Sequence, residues 1–214
     1  SPLGVEAIMK VVITHVTAGA GHTKAAEAVS GALRELEPSD TIQLLDASEG
    51  MDRWYRWAYS SGYLNMIDRS PKLWGAAYNG SDLWALRWLS KKVHRFNNAW
   101  HGKKLGHLLQ SINPDVIVGT HFFPMEVAGT LKARGTLKAK LITVITDYMP
   151  HAVWTAPAID CYSVGSTETE TDLISRGIPK EKIEITGIPI EPKFSHHLNR
   201  EELQQHLGLD PKLK

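Results

Sequence analysis

A glycine-rich turn that ends in a histidine is the feature of this sequence best suited to chemistry. The turn, Thr17-Ala-Gly-Ala-Gly-His22, stands between an apolar run at 11–16 and a helical pattern that opens near His22. The run is rich in β-branched residues, which is typical of a buried strand. Gly19 and Gly21 allow a sharp turn and the close approach of another molecule, and the free N–H groups of a first helical turn favour an anion or polar ligand. The segment predicts a polar pocket with His22 at its mouth.

Polar and aromatic residues also follow four later apolar runs. These segments are 120–124, 146–154, 165–168 and 187–189. Because ligands bind beyond the carboxyl ends of the strands in an open parallel sheet, we expect the segments to share one rim with the glycine turn. The rim collects His22, His121, His151 and Asp147. These residues suffice for general base catalysis, since a histidine has an ordinary pKa of about 6.5 and a carboxylate can orient it.

Each of these side chains also has a purely structural interpretation. His22 could cap the following helix, His121 could be a core histidine bonded to the backbone, and His151 could be an exposed loop residue. Asp147 could be the N-cap of the next turn. Zinc is not expected, because no two rim histidines have helical metal-ligand spacing and the one cysteine, Cys161, lies elsewhere. A nicotinamide dehydrogenase is not expected either, because the spacing is G-x-G-H rather than G-x-G-x-x-G.

Alternating strands and helices predict the sheet that positions this rim. Strands are predicted at 11–16, 41–46, 115–120, 140–146, 160–164 and 182–186, and helices from about residue 22 and at 125–132, 167–176 and 199–208. This alternation favours an α/β fold with a mostly parallel sheet covered by helices on both faces.

Residues 51–100, inserted between the second and third strands, differ in composition from the rest of the chain. They hold six of the seven tryptophans, and eight basic residues against three acidic ones, a net charge of +5. Rings at the headgroup level and cations near anionic lipid, at about 1 kcal/mol each, are typical of interfacial helices. The predicted membrane contacts are Trp54, Trp57, Trp74, Trp84, Trp88, Arg53, Arg56, Arg87, Lys91 and Lys92. Alternatively, the tryptophans simply pack the insertion onto the domain.

Composition limits the remaining possibilities. The 214 residues are 43% hydrophobic with a mean hydropathy of -0.22, typical of a globular protein with a sizeable core. A net charge of +1 gives no global argument for a nucleic-acid partner. One cysteine excludes an intramolecular disulfide and is compatible with a reducing cytoplasm. No stretch reaches roughly 18 consecutive apolar residues, so any membrane contact is expected to be peripheral. Residues 1–8 have no signal-peptide pattern and are expected to be an expression scar.

Several motifs, in order, resemble a known family. They are Gly19-Ala-Gly-His22 followed by Ala25-Ala26, the aromatic-rich insertion, Thr120-His-Phe-Phe-Pro124, Val144-Ile-Thr-Asp-Tyr148 and Ile185-Thr-Gly-Ile-Pro189. From about Met9 onward the chain resembles the N-terminal domain of monogalactosyldiacylglycerol synthases and related bacterial processive diacylglycerol glucosyltransferases.

The resemblance implies the N-terminal half of a GT-B glycosyltransferase, in which two Rossmann-like domains face each other across a cleft. It implies an inverting, metal-independent transfer of a hexose from a UDP-sugar to diacylglycerol, without a cofactor, by a peripheral enzyme on the cytoplasmic membrane. Residues 9–198 would form the acceptor-binding domain and 199–214 the start of an interdomain linker. The UDP-sugar would bind a C-terminal domain that these residues lack, so the chain alone is expected to be inactive.

The resemblance also implies roles for individual residues. His22 maps onto the candidate base that deprotonates the diacylglycerol hydroxyl, and the insertion maps onto the region that receives acceptor and anionic phospholipid. The expected acceptor-binding residues are Thr17, Gly19, Ala20, Gly21, His121, Phe122, Asp147, Tyr148 and Trp154. Two alternatives stay open: an enzyme acting on an undecaprenyl-linked acceptor, and a non-catalytic module that binds anionic lipid.

Overall fold

Six parallel strands form the centre of the computed structural model, which describes residues 7–17, 20–51, 102–148, 154–194 and 199–210. Within these ranges the strands are β1 (Lys10–His15), β2 (Thr41–Asp46), β3 (Val116–Gly119), β4 (Lys140–Val144), β5 (Cys161–Val164) and β6 (Ile183–Ile185). The helices are α1 (Ala20–Leu36), α2 (Lys103–Ile112), α3 (Phe122–Ala133), α4 (Thr167–Ser175) and α5 (Arg200–His206). Short 3₁₀ turns lie at Ala47–Gly50, Lys180–Lys182 and Pro192–Phe194.

Helices cover both faces of the sheet, because successive strand side chains point to opposite sides. Val11 and Ile13 of β1 belong to a cluster with Ala26 of α1. Val12, between them, belongs to a larger cluster with Leu109 of α2 and residues of α3. The small buried residues of α1 let its axis approach the sheet closely. The predicted Rossmann-like α/β fold is therefore confirmed.

The order of the strands places a crevice between β1 and β3. The described sheet runs β2-β1-β3-β4-β5-β6, with every neighbouring pair parallel. After β1 the chain moves outward to β2, whereas the later strands extend the sheet in the other direction. Connections that leave in opposite directions open a crevice at the carboxyl ends, where ligands bind in folds of this kind. The glycine turn and the segment that begins at Thr120 lie on its two sides.

Most of the predicted strands and helices are confirmed to within two residues, but the start of α3 was wrong. We predicted a helix from Met125, whereas α3 begins at Phe122, so Phe122 and Pro124 lie in its first turn rather than in a loop. Proline fits there because the first N–H groups of a helix have no partner within it. The correction shortens the β3–α3 connection to Thr120 and His121.

Residues 52–100 of the inserted segment lie outside the described residues, as does every predicted membrane contact within it. Its helical structure stays a prediction, as do the domain boundaries. In the described ranges, no helix combines the length and the apolar character needed to cross a membrane.

Candidate functional site

A hydrogen bond holds the start of the glycine turn, and the helix α1 follows from it. Before it, the Thr17 hydroxyl donates to Asp46 Oδ2 at the end of β2, at 2.6 Å. Asp46 Oδ1 accepts from the backbone N–H of Ser48. Burial pushes the pKa of Asp46 up, but the hydrogen bonds from Thr17 and Ser48 outweigh it and hold that pKa below its usual range. The helix α1 begins at Ala20, inside the segment predicted as the turn, and His22 is its third residue.

His22 is held by the segments that follow β3 and β4. Its Nδ1 lies 2.8 Å from the carbonyl oxygen of Thr120 and 3.0 Å from Oγ1 of Thr146. The Thr120 hydroxyl in turn donates to the His22 carbonyl oxygen at 2.8 Å. Because a carbonyl oxygen can only accept, Nδ1 of His22 carries a hydrogen, and in the neutral ring Nε2 then carries the lone pair. Nε2 of the half-buried ring is therefore the nitrogen that can accept a proton.

His121 faces His22 but has a different environment. Its ring meets the His22 ring edge-on, with centroids 4.9 Å apart. It is the N-cap of α3, with Nδ1 accepting from the backbone N–H of Phe123 at 3.1 Å. Burial, and then the charge of His22 and of His15, hold the pKa of His121 well below its usual range. His121 is thus a neutral side chain beside His22.

Two aromatic residues line the site next to the histidines. Trp154 is buried, with its ring 6.1 Å from His22 and 6.4 Å from His121 between centroids. Phe122 stacks on His121 at 4.3 Å and meets Trp154 edge-on at 6.0 Å. The Trp154 indole N–H donates to Asp147 Oδ2 at 2.9 Å. Asp147 therefore fixes Trp154.

The carboxylate that we expected to orient a histidine is replaced by other oxygens. Nδ1 of His22 is bonded to Thr120 and Thr146, whereas the hydrogen bond described for Asp147 comes from Trp154.

The surface over the first turn of α1 is open. Ala20 and Gly21 are exposed. A Cβ added to Gly21 would meet no heavy atom of the described residues within 4 Å. Packing against these residues therefore does not demand glycine at this position.

The remaining predicted residues are not part of this group. Tyr148 is 73% exposed, and its carbonyl accepts from the Thr169 hydroxyl. Thr17 is bonded to Asp46 rather than to the histidines. Gly19 and His151 lie outside the described residues. Across the part of the chain that the structure describes, no group of three or more His, Cys, Asp or Glu side chains could hold a metal ion.

Sequence reasoning gave no role to two polar residues of the site, although one of them, Thr146, lies in a segment expected on the rim. His15, the last residue of β1, is buried, and its Nδ1 lies 3.3 Å from the hydroxyl of Thr23, the neighbour of His22. Thr146 is the second. Their signal in the sequence is a polar residue at the carboxyl end of an apolar strand.

A parallel sheet whose strand order reverses between β1 and β3, with a histidine after each of these two strands, defines a Rossmann-like α/β domain. The sequence profile of the family described as monogalactosyldiacylglycerol (MGDG) synthase matches residues 22–190. The chain belongs to the MGDG synthase family, as its motifs predicted.

Curated relatives match half of the chain. It is 37% identical over 108 residues to a processive diacylglycerol beta-glucosyltransferase of Staphylococcus epidermidis, and 36% identical over 108 residues to one of Staphylococcus aureus. Each match covers 50% of this chain and 27% of the relative. The shared region is therefore about a quarter of the relatives' own length.

Two solved structures are similar at a TM-score of 0.47. One is the lipopolysaccharide outer core galactosyltransferase WaaB in its apo form, at 14% identity over 83% of this chain and 45% of that one. The other is a UDP-N-acetylglucosamine 2-epimerase from Rickettsia bellii, at 13% identity over 96% of this chain and 53% of that one.

Proposed function

We propose that this chain is the acceptor-binding part of a hexosyltransferase that moves a sugar from a UDP-sugar to diacylglycerol, with His22 as the general base. Membership of the MGDG synthase family supports the reaction class. The observation that carries the role of His22 is the hydrogen bond from its Nδ1 to the Thr120 carbonyl, because it leaves the lone pair on Nε2.

The proposed reaction is a single displacement. Nε2 of His22 takes the proton of the acceptor hydroxyl while the hydroxyl oxygen attacks the anomeric carbon, and UDP leaves with the electrons of the broken bond. One displacement inverts the anomeric centre. The resulting imidazolium keeps Nδ1–H against the Thr120 carbonyl, which stabilises its charge. No metal ion takes part in this scheme.

Polar and apolar surfaces meet where the acceptor would bind. The open space over Gly21 adjoins the first N–H groups of α1, which favour a polar headgroup. Phe122, which is only partly buried, supplies aromatic surface beside His121 and the buried Trp154. A glycerolipid needs both, since its hydroxyl must reach the base while its chains stay away from water.

The donor and the membrane complete the proposal. The UDP-sugar binds residues outside the quarter of the relatives' length that this chain shares. Residues 51–100, with a net charge of +5, hold the enzyme peripherally on the anionic cytoplasmic membrane surface.

The role of His22 is tested in the natural-length enzyme by His22→Ala. With a UDP-sugar and diacylglycerol in mixed vesicles, we expect glycolipid synthesis to fall by about 10² or more, because a positioned base contributes on that order. The melting temperature should stay close to that of the unchanged enzyme, since the ring is only half-buried. Turnover within a factor of a few would show that another group accepts the proton. An undecaprenyl-linked sugar, offered as the acceptor in a parallel reaction, tests the acceptor class.

Membrane attachment is tested by vesicle flotation. The protein should float with vesicles that contain phosphatidylglycerol and stay behind with purely neutral ones. Replacing Arg87, Lys91 and Lys92 together by Gln should weaken flotation, because each cation contributes about 1 kcal/mol near the surface. Equal binding to both vesicle types would remove the electrostatic part of the proposal.

A further inference from the structure

The His22 ring is held by two oxygen atoms that come from the ends of different strands. The Thr120 carbonyl oxygen follows β3, and the Thr146 hydroxyl oxygen follows β4. Both lie within hydrogen-bond distance of the same ring nitrogen, Nδ1, at 2.8 Å and 3.0 Å. Since the carbonyl requires a hydrogen on Nδ1, the Thr146 hydroxyl can only accept from that nitrogen. The two oxygens share one hydrogen in a three-centre bond.

We propose that Thr146 is a positioning residue, whose hydroxyl accepts from Nδ1–H of His22 and holds the ring in the orientation that directs Nε2 towards the acceptor. This inference rests on the proposed function, in which Nε2 accepts the proton of the acceptor hydroxyl. Thr146 itself gains and loses no proton. Its oxygen faces Nδ1–H before the transfer and the imidazolium Nδ1–H after it, so the ring need not turn during the reaction.

The second oxygen contributes what the Thr120 carbonyl cannot supply alone. A ring with a single partner keeps its freedom to rotate about the Cα–Cβ and Cβ–Cγ bonds, whereas two oxygens on separate strands define the ring plane. Thr120 also binds the His22 backbone carbonyl through its hydroxyl, so it holds the helix end as well as the ring. Thr146 contacts the ring, and its substitution therefore reports on ring orientation.

The titratable neighbours are compatible with a charge on this ring. His121, across the crevice, is buried as a neutral N-cap, and His15 is bonded to Thr23 at the start of α1. Asp147, next to Thr146 in sequence, accepts from Trp154. Both acceptors described for Nδ1–H of His22 are uncharged oxygens.

The chain offers a matched control three residues away. Thr143, on β4, is fully buried, and its Oγ1 has no hydrogen-bond partner among the residues that the structure describes. Thr143→Val and Thr146→Val are the same isosteric change in the same segment. Only the second removes an oxygen from His22.

Steady-state kinetics of the natural-length enzyme measure the effect. In Thr146→Val we expect kcat to fall about five- to tenfold, the value of one hydrogen bond, with KM for diacylglycerol within about twofold of its original value. Thr146→Ser keeps the oxygen and should restore most of kcat, and Thr143→Val should match the unchanged enzyme. The inference is overturned if Thr146→Val keeps its kcat, if Thr146→Ser loses as much as Thr146→Val, or if Thr143→Val loses as much.

Nuclear magnetic resonance gives a readout that does not depend on turnover. Long-range ¹H–¹⁵N spectra of ¹⁵N-histidine-labelled enzyme, recorded at about pH 8 where histidine rings are neutral, show which ring nitrogen carries the hydrogen. The signals of His22 are assigned by their loss in His22→Gln. We expect the Nδ1–H form in the unchanged enzyme and in Thr146→Val, because the Thr120 carbonyl still requires it. The His22 signals of Thr146→Val should shift and broaden, because the ring moves more freely. An Nε2–H ring in the unchanged enzyme overturns the inference, even if the valine variant does not fold.

The two proposals fail in different ways. If His22→Ala keeps full turnover, His22 is not the base. The kcat values of the Thr146 variants then no longer report on the orientation of the His22 ring. The spectra still report whether Thr146 holds the His22 ring in one orientation. If His22→Ala is inactive but Thr146→Val is unchanged in kcat, the proposal that His22 is the base stands. The positioning role of Thr146 is then rejected.

Discussion

The two turns on either side of the crevice both lead from a buried strand into a helix, and each places a histidine near the helix start. After β3 the connection is short, and His121 is the N-cap of α3, buried, with Nδ1 accepting from Phe123. After β1 the glycine turn adds residues, and His22 becomes the third residue of α1, half-buried, with Nδ1 donating to Thr120. Opposite ring nitrogens therefore carry the hydrogen in the two histidines.

A glycine near each histidine also differs in how closely other atoms surround it. A Cβ added to Gly119, at the end of β3, would lie 2.3 Å from Sδ of the buried Met125. A Cβ added to Gly21 would meet no atom of the described residues within 4 Å. Described protein atoms thus fill the space beside Gly119 but not the space beside Gly21. Glycine at the end of β3 is thus required by packing, whereas glycine in the first turn of α1 is not required by packing against the described residues.

Among the tests of this comparison, Gly119→Ala is expected to have the largest effect on stability. The new methyl group would overlap Met125 in the core, and overpacking of this kind costs about 1–3 kcal/mol. Urea unfolding, followed by circular dichroism, should show the loss as a lower midpoint. A midpoint equal to that of the unchanged protein would mean that Met125 moves aside freely and that the turn is less closed than its packing indicates.

A second effect concerns the pH dependence of stability. Because burial lowers the pKa of His121 in the folded state, the unfolded chain binds a proton that the folded chain does not. The contribution of His121 to stability is complete above its unfolded pKa of about 6.5 and is lost as the pH falls from there towards the folded pKa. The slope is at most about 1.4 kcal/mol per pH unit for one proton.

His121→Asn isolates this contribution, because asparagine is also a favoured N-cap but does not titrate. Urea unfolding at several pH values between about 7 and 5 should show a smaller loss of stability on acidification in the variant than in the unchanged protein. Parallel curves would contradict a neutral His121 in the folded state.

The smallest effect on stability is expected from Gly21→Ala. Alanine in a helix is about 0.5–1 kcal/mol more favourable than glycine, and the added methyl group meets open space, so stability should rise slightly. Glycolipid synthesis should nevertheless fall, because the methyl group occupies the space proposed for the acceptor. Gly31→Ala, in the same helix, is the control: its Cβ would only touch Pro192 at 3.9 Å, and it should stabilise without loss of activity. Equal glycolipid synthesis by the two variants would show that the acceptor does not bind over Gly21.

Local patterns predicted much of the fold. β2 lies at Thr41–Asp46, as its apolar run predicts, and Ser166 caps α4 at the predicted start. The start of α3 was wrong, because Phe122 and Pro124 have no clear helical signal and the cap is an uncommon one, His121. Of the site, the sequence predicted His22, His121, Phe122, Trp154 and Asp147 as neighbours on one rim. It assigned the orienting role to a carboxylate, whereas the bonded oxygens belong to Thr120 and Thr146.

By itself the sequence determined the alternation of strands and helices, the family and the strand ends at which chemistry is placed. These depend on apolar periodicity, on turn residues and on motifs, all of which act over short stretches of chain. Only the tertiary structure decided which oxygens face His22, and hence which nitrogen carries its hydrogen. The partners, Thr120 and Thr146, are 98 and 124 residues away in the chain, and the pairing of β1 with β3 and of β3 with β4 brings them together.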